Sequence, residues 1–215
     1  MLKFVVTVLL LASVQGFCGK EQLESLADCY QDFFNFYKIK TTDKFHFPDY
    51  WTAVHQTRGR ILQEQGKAIQ PQVCQAAVKL AACVAKKPYD SLCFLGFALN
   101  LTEANDYITD IAVGNYQCTD GYATLLQDFE CLGKTRDTYH VPLQACSDNF
   151  NYALDHGGDI CPAMNTFLTC QQPYYANSCG FNAGVWICGT NRAGILANSD
   201  YCLKLGQLNE CPPYR

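Results

Sequence analysis

Along residues 21–37 (EQLESLADCYQDFFNFY), Leu23, Leu26, Tyr30, Phe33, Phe34 and Tyr37 fall at offsets 0, 3, 7, 10, 11 and 14. At helical periodicity these positions form one apolar stripe with polar residues opposite, so the spacing predicts an amphipathic helix. Cys29 lies at the edge of that stripe, placed to reach a neighbouring element as the stripe packs. Pro71 suits the first position of a second helix running to about Lys86, because its missing N–H has no partner there anyway. Further helical pattern covers Ser91 to Asn115 with a break near Asn100. Another stretch follows Thr119, with Tyr122, Leu125, Leu126, Phe129 and Leu132 on one face and Gly133 as its expected stop. A helix from Pro142 ends before Gly157-Gly158, Asp159 is the expected N-cap of one ending near Cys170, and a last one lies within Asn182 to Leu196.

No extended alternation and no Asn-Gly hairpin signal interrupts this pattern. The expectation is an all-α fold, a disulfide-stapled bundle of about six helices. Residues 38–70 contain no cysteine and hold Phe45, His46, Phe47, Pro48, Tyr50 and Trp51, followed by a more polar half with Gly59 and Gly66. They read as an insertion with a short helix. The aromatics either plug a core beneath a long loop, the favoured reading, or line a hydrophobic ligand site.

The N-terminus adds a targeting signal. Lys3 precedes the apolar run FVVTVLLLA, and Val14 and Gly16 place small residues before a cleavage point after Gly16. That run is far short of the about 20 residues a membrane span needs, and neither a later span nor a lipid-anchor tail is expected. Residues 1–16 are therefore expected to be a signal peptide, and 17–215 a single cysteine-rich helical domain. Within it, 17–70 is the N-terminal helix plus aromatic insertion and 71–215 the cysteine-rich core.

All 14 cysteines follow the expected cleavage point: Cys18, Cys29, Cys74, Cys83, Cys93, Cys118, Cys131, Cys146, Cys161, Cys170, Cys179, Cys188, Cys202 and Cys211. An even number in an exported chain predicts a disulfide framework. Metal knuckles need ligands two to four residues apart, and no such pair exists. A spacing of nine recurs, at Cys74 and Cys83, from Cys161 through Cys170 and Cys179 to Cys188, and at Cys202 and Cys211. Nine residues turn a helix by about two and a half turns. Two such cysteines on one helix face opposite sides, so bridges are expected mostly between helices, with the pairing left open.

Charge and motifs then narrow the chemistry. Without Lys3 the chain has 15 basic and 20 acidic side chains, formally −5, and Lys86-Lys87 is its only adjacent basic pair. Nucleic-acid binding and anionic-membrane binding, which call for a basic patch, are not expected. His46, His55, His140 and His156 sit in no metal or hydrolase motif. Asp155-His156-Gly157-Gly158-Asp159 places carboxylates beside an imidazole, but secreted phospholipases A2 need flanking cysteines and a calcium loop that this chain lacks. A helix stop followed by an N-cap is the expected role. Asn100-Leu101-Thr102 is an N-glycosylation sequon, which requires Asn100 to face solvent. Asn177-Ser178-Cys179 is a rarer variant whose cysteine is expected to be bridged.

The segment Cys179 to Cys188 (CGFNAGVWIC), the signal peptide and the helix-spaced single cysteines carry a family likeness. From Cys74 to Cys202 the chain resembles cysteine-rich secreted domains numerous in nematodes, most of them grouped as domains of unknown function. A related set is chondroitin-proteoglycan-core-like. Glycosaminoglycan chains attach at Ser-Gly, and this sequence has no Ser-Gly pair, a departure from that set. The expectation is a secreted, non-enzymatic protein with no cofactor, binding an extracellular protein or glycan. The alternatives are a carrier of a small apolar ligand and, behind it, a secreted hydrolase.

Overall fold

A computed structural model describes residues 18–86 and 91–215. The expected signal peptide and Lys87 of the basic pair lie outside those residues. Two compact units divide the chain, the first ending at Ile111 and the second running from Ala112 to Arg215. All regular structure among the described residues is helical.

The first unit contains α1 (Lys20–Tyr37), a π-helical turn (Tyr50–His55), α2 (Gln56–Gln65), a 3-10 turn (Gly66–Ile69), α3 (Gln70–Val84), a 3-10 stretch (Ser91–Phe97) and most of α4 (Leu101–Cys118). The α1 stripe is buried as its spacing predicts: Leu26, Tyr30, Phe33, Phe34 and Tyr37 all join one core. Residues 45–51 contribute to that core rather than to an open site. Phe47 is buried, 4.8 Å from the Tyr30 ring and stacked at 4.0 Å on Phe97. Ring pairs of this kind contribute roughly 0.5–1.5 kcal/mol each beyond the area they bury. Tyr50 is buried too, whereas Trp51 is exposed and stacks on His55 at 4.1 Å. Cys29–Cys83 staples α1 to α3, and Cys18–Cys93 ties the start of α1 to the 3-10 stretch.

The second unit continues with α5 (Tyr122–Gln127), α6 (Phe129–Thr138), α7 (His140–Asp155), α8 (Ile160–Cys170), α9 (Gln172–Cys179), α10 (Phe181–Asn198) and α11 (Tyr201–Lys204). Every residue of α10 from Ala183 to Thr190 is buried. A helical segment buried on all sides belongs at the centre of its unit, and two glycines let its neighbours come close. A Cβ on Gly184 would lie 2.9 Å from the Ala176 Cβ of α9, and one on Gly189 would land inside the Tyr116 phenol. Cys131–Cys179, Cys146–Cys170, Cys161–Cys202 and Cys188–Cys211 staple this unit.

Two local expectations are corrected. The stretch after Thr119 is two helices, parted at Asp128 (φ −105°, ψ 16°). Gly133 does not stop the second of them: Leu132 and Thr135 are buried, and Cys131–Cys179 clamps α6 to α9. That packing carries the helix through the glycine to Thr138. Asp159 occupies the N-cap position of α8, with extended backbone, but its side chain makes no capping bond.

Candidate ligand-binding cleft

The first unit carries a cleft of about 650 Å³ between the end of α1, the wall formed by α2, and the start of α3. Ligand clefts typically enclose about 300–1,000 Å³. Its apolar lining comes from partly buried Phe36, Ile39 and Ile61 and buried Ile69. Its cations are Lys38, Lys40 and Arg60, all exposed. Glu64, the one acid in the lining, is paired with Arg60 at 3.2 Å.

Lys38 holds an unusual backbone position. It ends α1 in the left-handed region, with φ 56° and ψ 31°. Its N–H donates to the Asn35 carbonyl, and the Ile39 N–H to that of Phe34. This closes the helix end in the way a glycine usually allows. For a residue with a Cβ the conformation costs on the order of 1 kcal/mol.

None of the α2 residues is fully buried; Ile61 packs partly buried against the core, and an ion pair adds a second anchor for this wall. Arg58 grips Asp110 of α4 with both terminal guanidinium nitrogens, at 2.7 and 2.6 Å. Asp110 also accepts from the Tyr50 hydroxyl at 2.9 Å. The guanidinium lies 5.7 Å from the centroid of Tyr37 and 5.9 Å from that of Phe33. Tyr37 is thus shared, lining the cleft and flanking Arg58. Burial opposes the charge on Arg58, but the Asp110 carboxylate carries its pKa well above the ordinary guanidinium value. Burial first, then the negative charge of Asp110, pushes the Tyr50 phenol far above its ordinary value. Arg58 therefore stays charged across the physiological pH range, and Tyr50 remains a donor.

Residues singled out from the sequence fall elsewhere. Six bridges are those named above, and Cys74 and Cys118 are disulfide-bonded as well, with no free cysteine. No two cysteines spaced by nine bond each other in the six: α8, for example, sends Cys161 to Cys202 and Cys170 to Cys146. Asn100 is exposed and caps α4 reciprocally with Glu103. Its Oδ1 accepts from the Glu103 N–H, while a glycan would attach at Nδ2, so capping and modification use different atoms. The Asp155–His156–Asp159 cluster forms no acid–base pair: His156 Nδ1 lies 2.9 Å from the Tyr152 carbonyl and its ring stacks on Tyr152. Among the described residues no group of three or more His, Cys, Asp or Glu could hold a metal ion. No helix among them is long and apolar enough to cross a membrane.

Sequence reading missed Arg58, Asp110 and the cleft cations. Two signals pointed to them. Asp110 is a lone acid inside the apolar run ITDIAV, and Lys38 and Lys40 flank Ile39 directly after a helix stripe. No protein-family model matches this chain, and no curated protein and no solved structure matches it either.

Proposed function

We propose that this is an exported, non-enzymatic binding protein that recognises an extracellular protein or glycan. The observation that carries the reading is a cross-linked scaffold presenting apolar side chains to solvent. Ile160, Tyr201, Leu203 and Leu205 are exposed and flank the Cys161–Cys202 bridge, and Tyr152 and Leu154 are exposed in the last turns of α7. Exposed apolar side chains gathered on both sides of one bridge, rather than scattered singly, mark interaction sites on folded proteins. Oxidised cysteines throughout fit an oxidising compartment. We further propose kinship with the nematode secreted cysteine-rich domains that the Cys179 to Cys188 segment resembles.

Capture from extracellular extract with oxidised, glycosylated protein tests it. The expected result is a partner retained by wild type and lost with Tyr201→Ser and Leu205→Ser together. Turnover of a lipid, peptide or glycan substrate that disappears with His156→Ala would overturn it.

The cleft of the first unit favours a second reading, a carrier of a small ligand. Organic extraction and native mass spectrometry of the purified protein test that directly. A bound molecule is expected, and its absence from material never exposed to detergent counts against a carrier.

A further inference from the structure

We propose that the cleft between α1, α2 and α3 takes a small organic anion with an apolar body, of the medium-chain carboxylate type. This rests on the carrier reading and names its ligand class, which is amphiphilic rather than apolar.

Three features point to this chemistry. The lining divides in kind: Phe36, Ile39, Ile61 and Ile69 supply apolar surface, and Lys38, Lys40 and Arg60 supply positive charge. The charge is unbalanced. Arg60 has Glu64, but Lys38 and Lys40 make no ion pair among the described residues. An uncharged lipid would gain nothing from two unpaired ammonium groups, whereas a carboxylate gains from both.

The third feature is independent of the charge count. Lys38 sits at φ 56°, where glycine would be easier and where the α1 cap needs no side chain. Strained backbone of this kind concentrates at ligand clamps. A lysine there places its ammonium group at the cleft while its stem adds apolar cover. Ile39, next in the chain, turns to the lining, and Lys40 follows with a second cation. The sequence Lys-Ile-Lys, which opens on the left-handed cap, thus gives one apolar contact between two charges.

The test uses full-length, oxidised protein and isothermal titration with laurate and with dodecanol below their aggregation limits. Laurate is expected to bind more tightly than dodecanol and to weaken as salt is raised. Lys38→Gly and Lys40→Gln are each expected to weaken laurate by about fivefold, the effect of one unit charge at about 4 Å in water. Lys40→Gln should leave dodecanol binding unchanged, and Lys38→Gly, which also removes an apolar stem, should weaken dodecanol by less than it weakens laurate. Glu64→Gln should tighten laurate. Lys38→Gly separates binding from folding, because glycine relieves the left-handed cap: the variant should be at least as stable as wild type while binding less.

Equal affinity for laurate and dodecanol, or laurate binding indifferent to both lysine variants, overturns the anion proposal and leaves the carrier reading standing. Failure of both probes to bind overturns the two together. The reading as a protein or glycan partner is decided separately, by the capture experiment.

Discussion

Removing one member of the Arg58–Asp110 pair should be among the most damaging single changes in the first unit. Asp110 is only 9% exposed and Arg58 keeps 21% of its side chain accessible. Arg58→Met leaves a buried carboxylate whose only other bond in this cluster comes from the Tyr50 hydroxyl. Asp110→Leu leaves a guanidinium among Phe33, Tyr37 and Tyr50. Breaking a buried pair from one side costs about 3–5 kcal/mol, whereas replacing both members with apolar residues is often close to neutral. The residual exposure of Arg58 puts each single variant near the lower figure, about 3 kcal/mol. For a chain of this length that corresponds to roughly 6–12 °C in Tm. The Arg58→Met/Asp110→Leu double variant should regain most of the loss and end within about 1 kcal/mol of wild type. Urea unfolding of oxidised protein, followed by far-ultraviolet circular dichroism, measures all four corners of the cycle. Single variants costing under about 1 kcal/mol, or a double variant equal to their sum, would refute the claim that this pair holds the α2 wall.

Other consequences can be checked on the same material. Gly189→Ala should destabilise by about 1–3 kcal/mol, because its Cβ meets the Tyr116 ring, whereas Gly133→Ala has open space and should stabilise α6 by about 0.5–1 kcal/mol. Asn100→Asp should abolish any glycan mass shift while keeping the α4 cap, and Asn100→Ala should lose both, at about 1 kcal/mol. The Tyr50, Tyr107 and Tyr116 phenols have folded pKa values raised, chiefly by burial, above their unfolded values. The stability they contribute is complete below about pH 10 and falls as pH rises beyond it, because the unfolded chain releases those protons first. Phenolate absorbance should show these residues ionising together with unfolding; normal titration in the folded protein would contradict the burial.

Much of the helical framework was legible because it is local. The α1 stripe, Pro71 opening α3, the break at Asn100 and the turn at Gly157-Gly158 each depend on a few neighbouring residues. Gly133 misled because its local preference loses to the burial of Leu132 and Thr135 and to a bridge 48 residues long. Phe47 and Tyr50 were legible as core by type, yet their partners Phe97 and Asp110 lie far along the chain. The cleft was invisible for the same reason. Its walls come from separate segments, and Arg58 and Asp110 are 52 residues apart. The bridging rule for cysteines nine apart survives because it is helix geometry; the partners themselves are set by tertiary packing.

The exposed turn at Gly157-Gly158 lies inside two covalent rings, one closed by Cys131–Cys179 and the other by Cys146–Cys170. A digestive enzyme cutting there would open the main chain without releasing a fragment. The clipped molecule would run as one species on a gel until reductant was added, so damage at this exposed bend need not cost the protein its mass or its place.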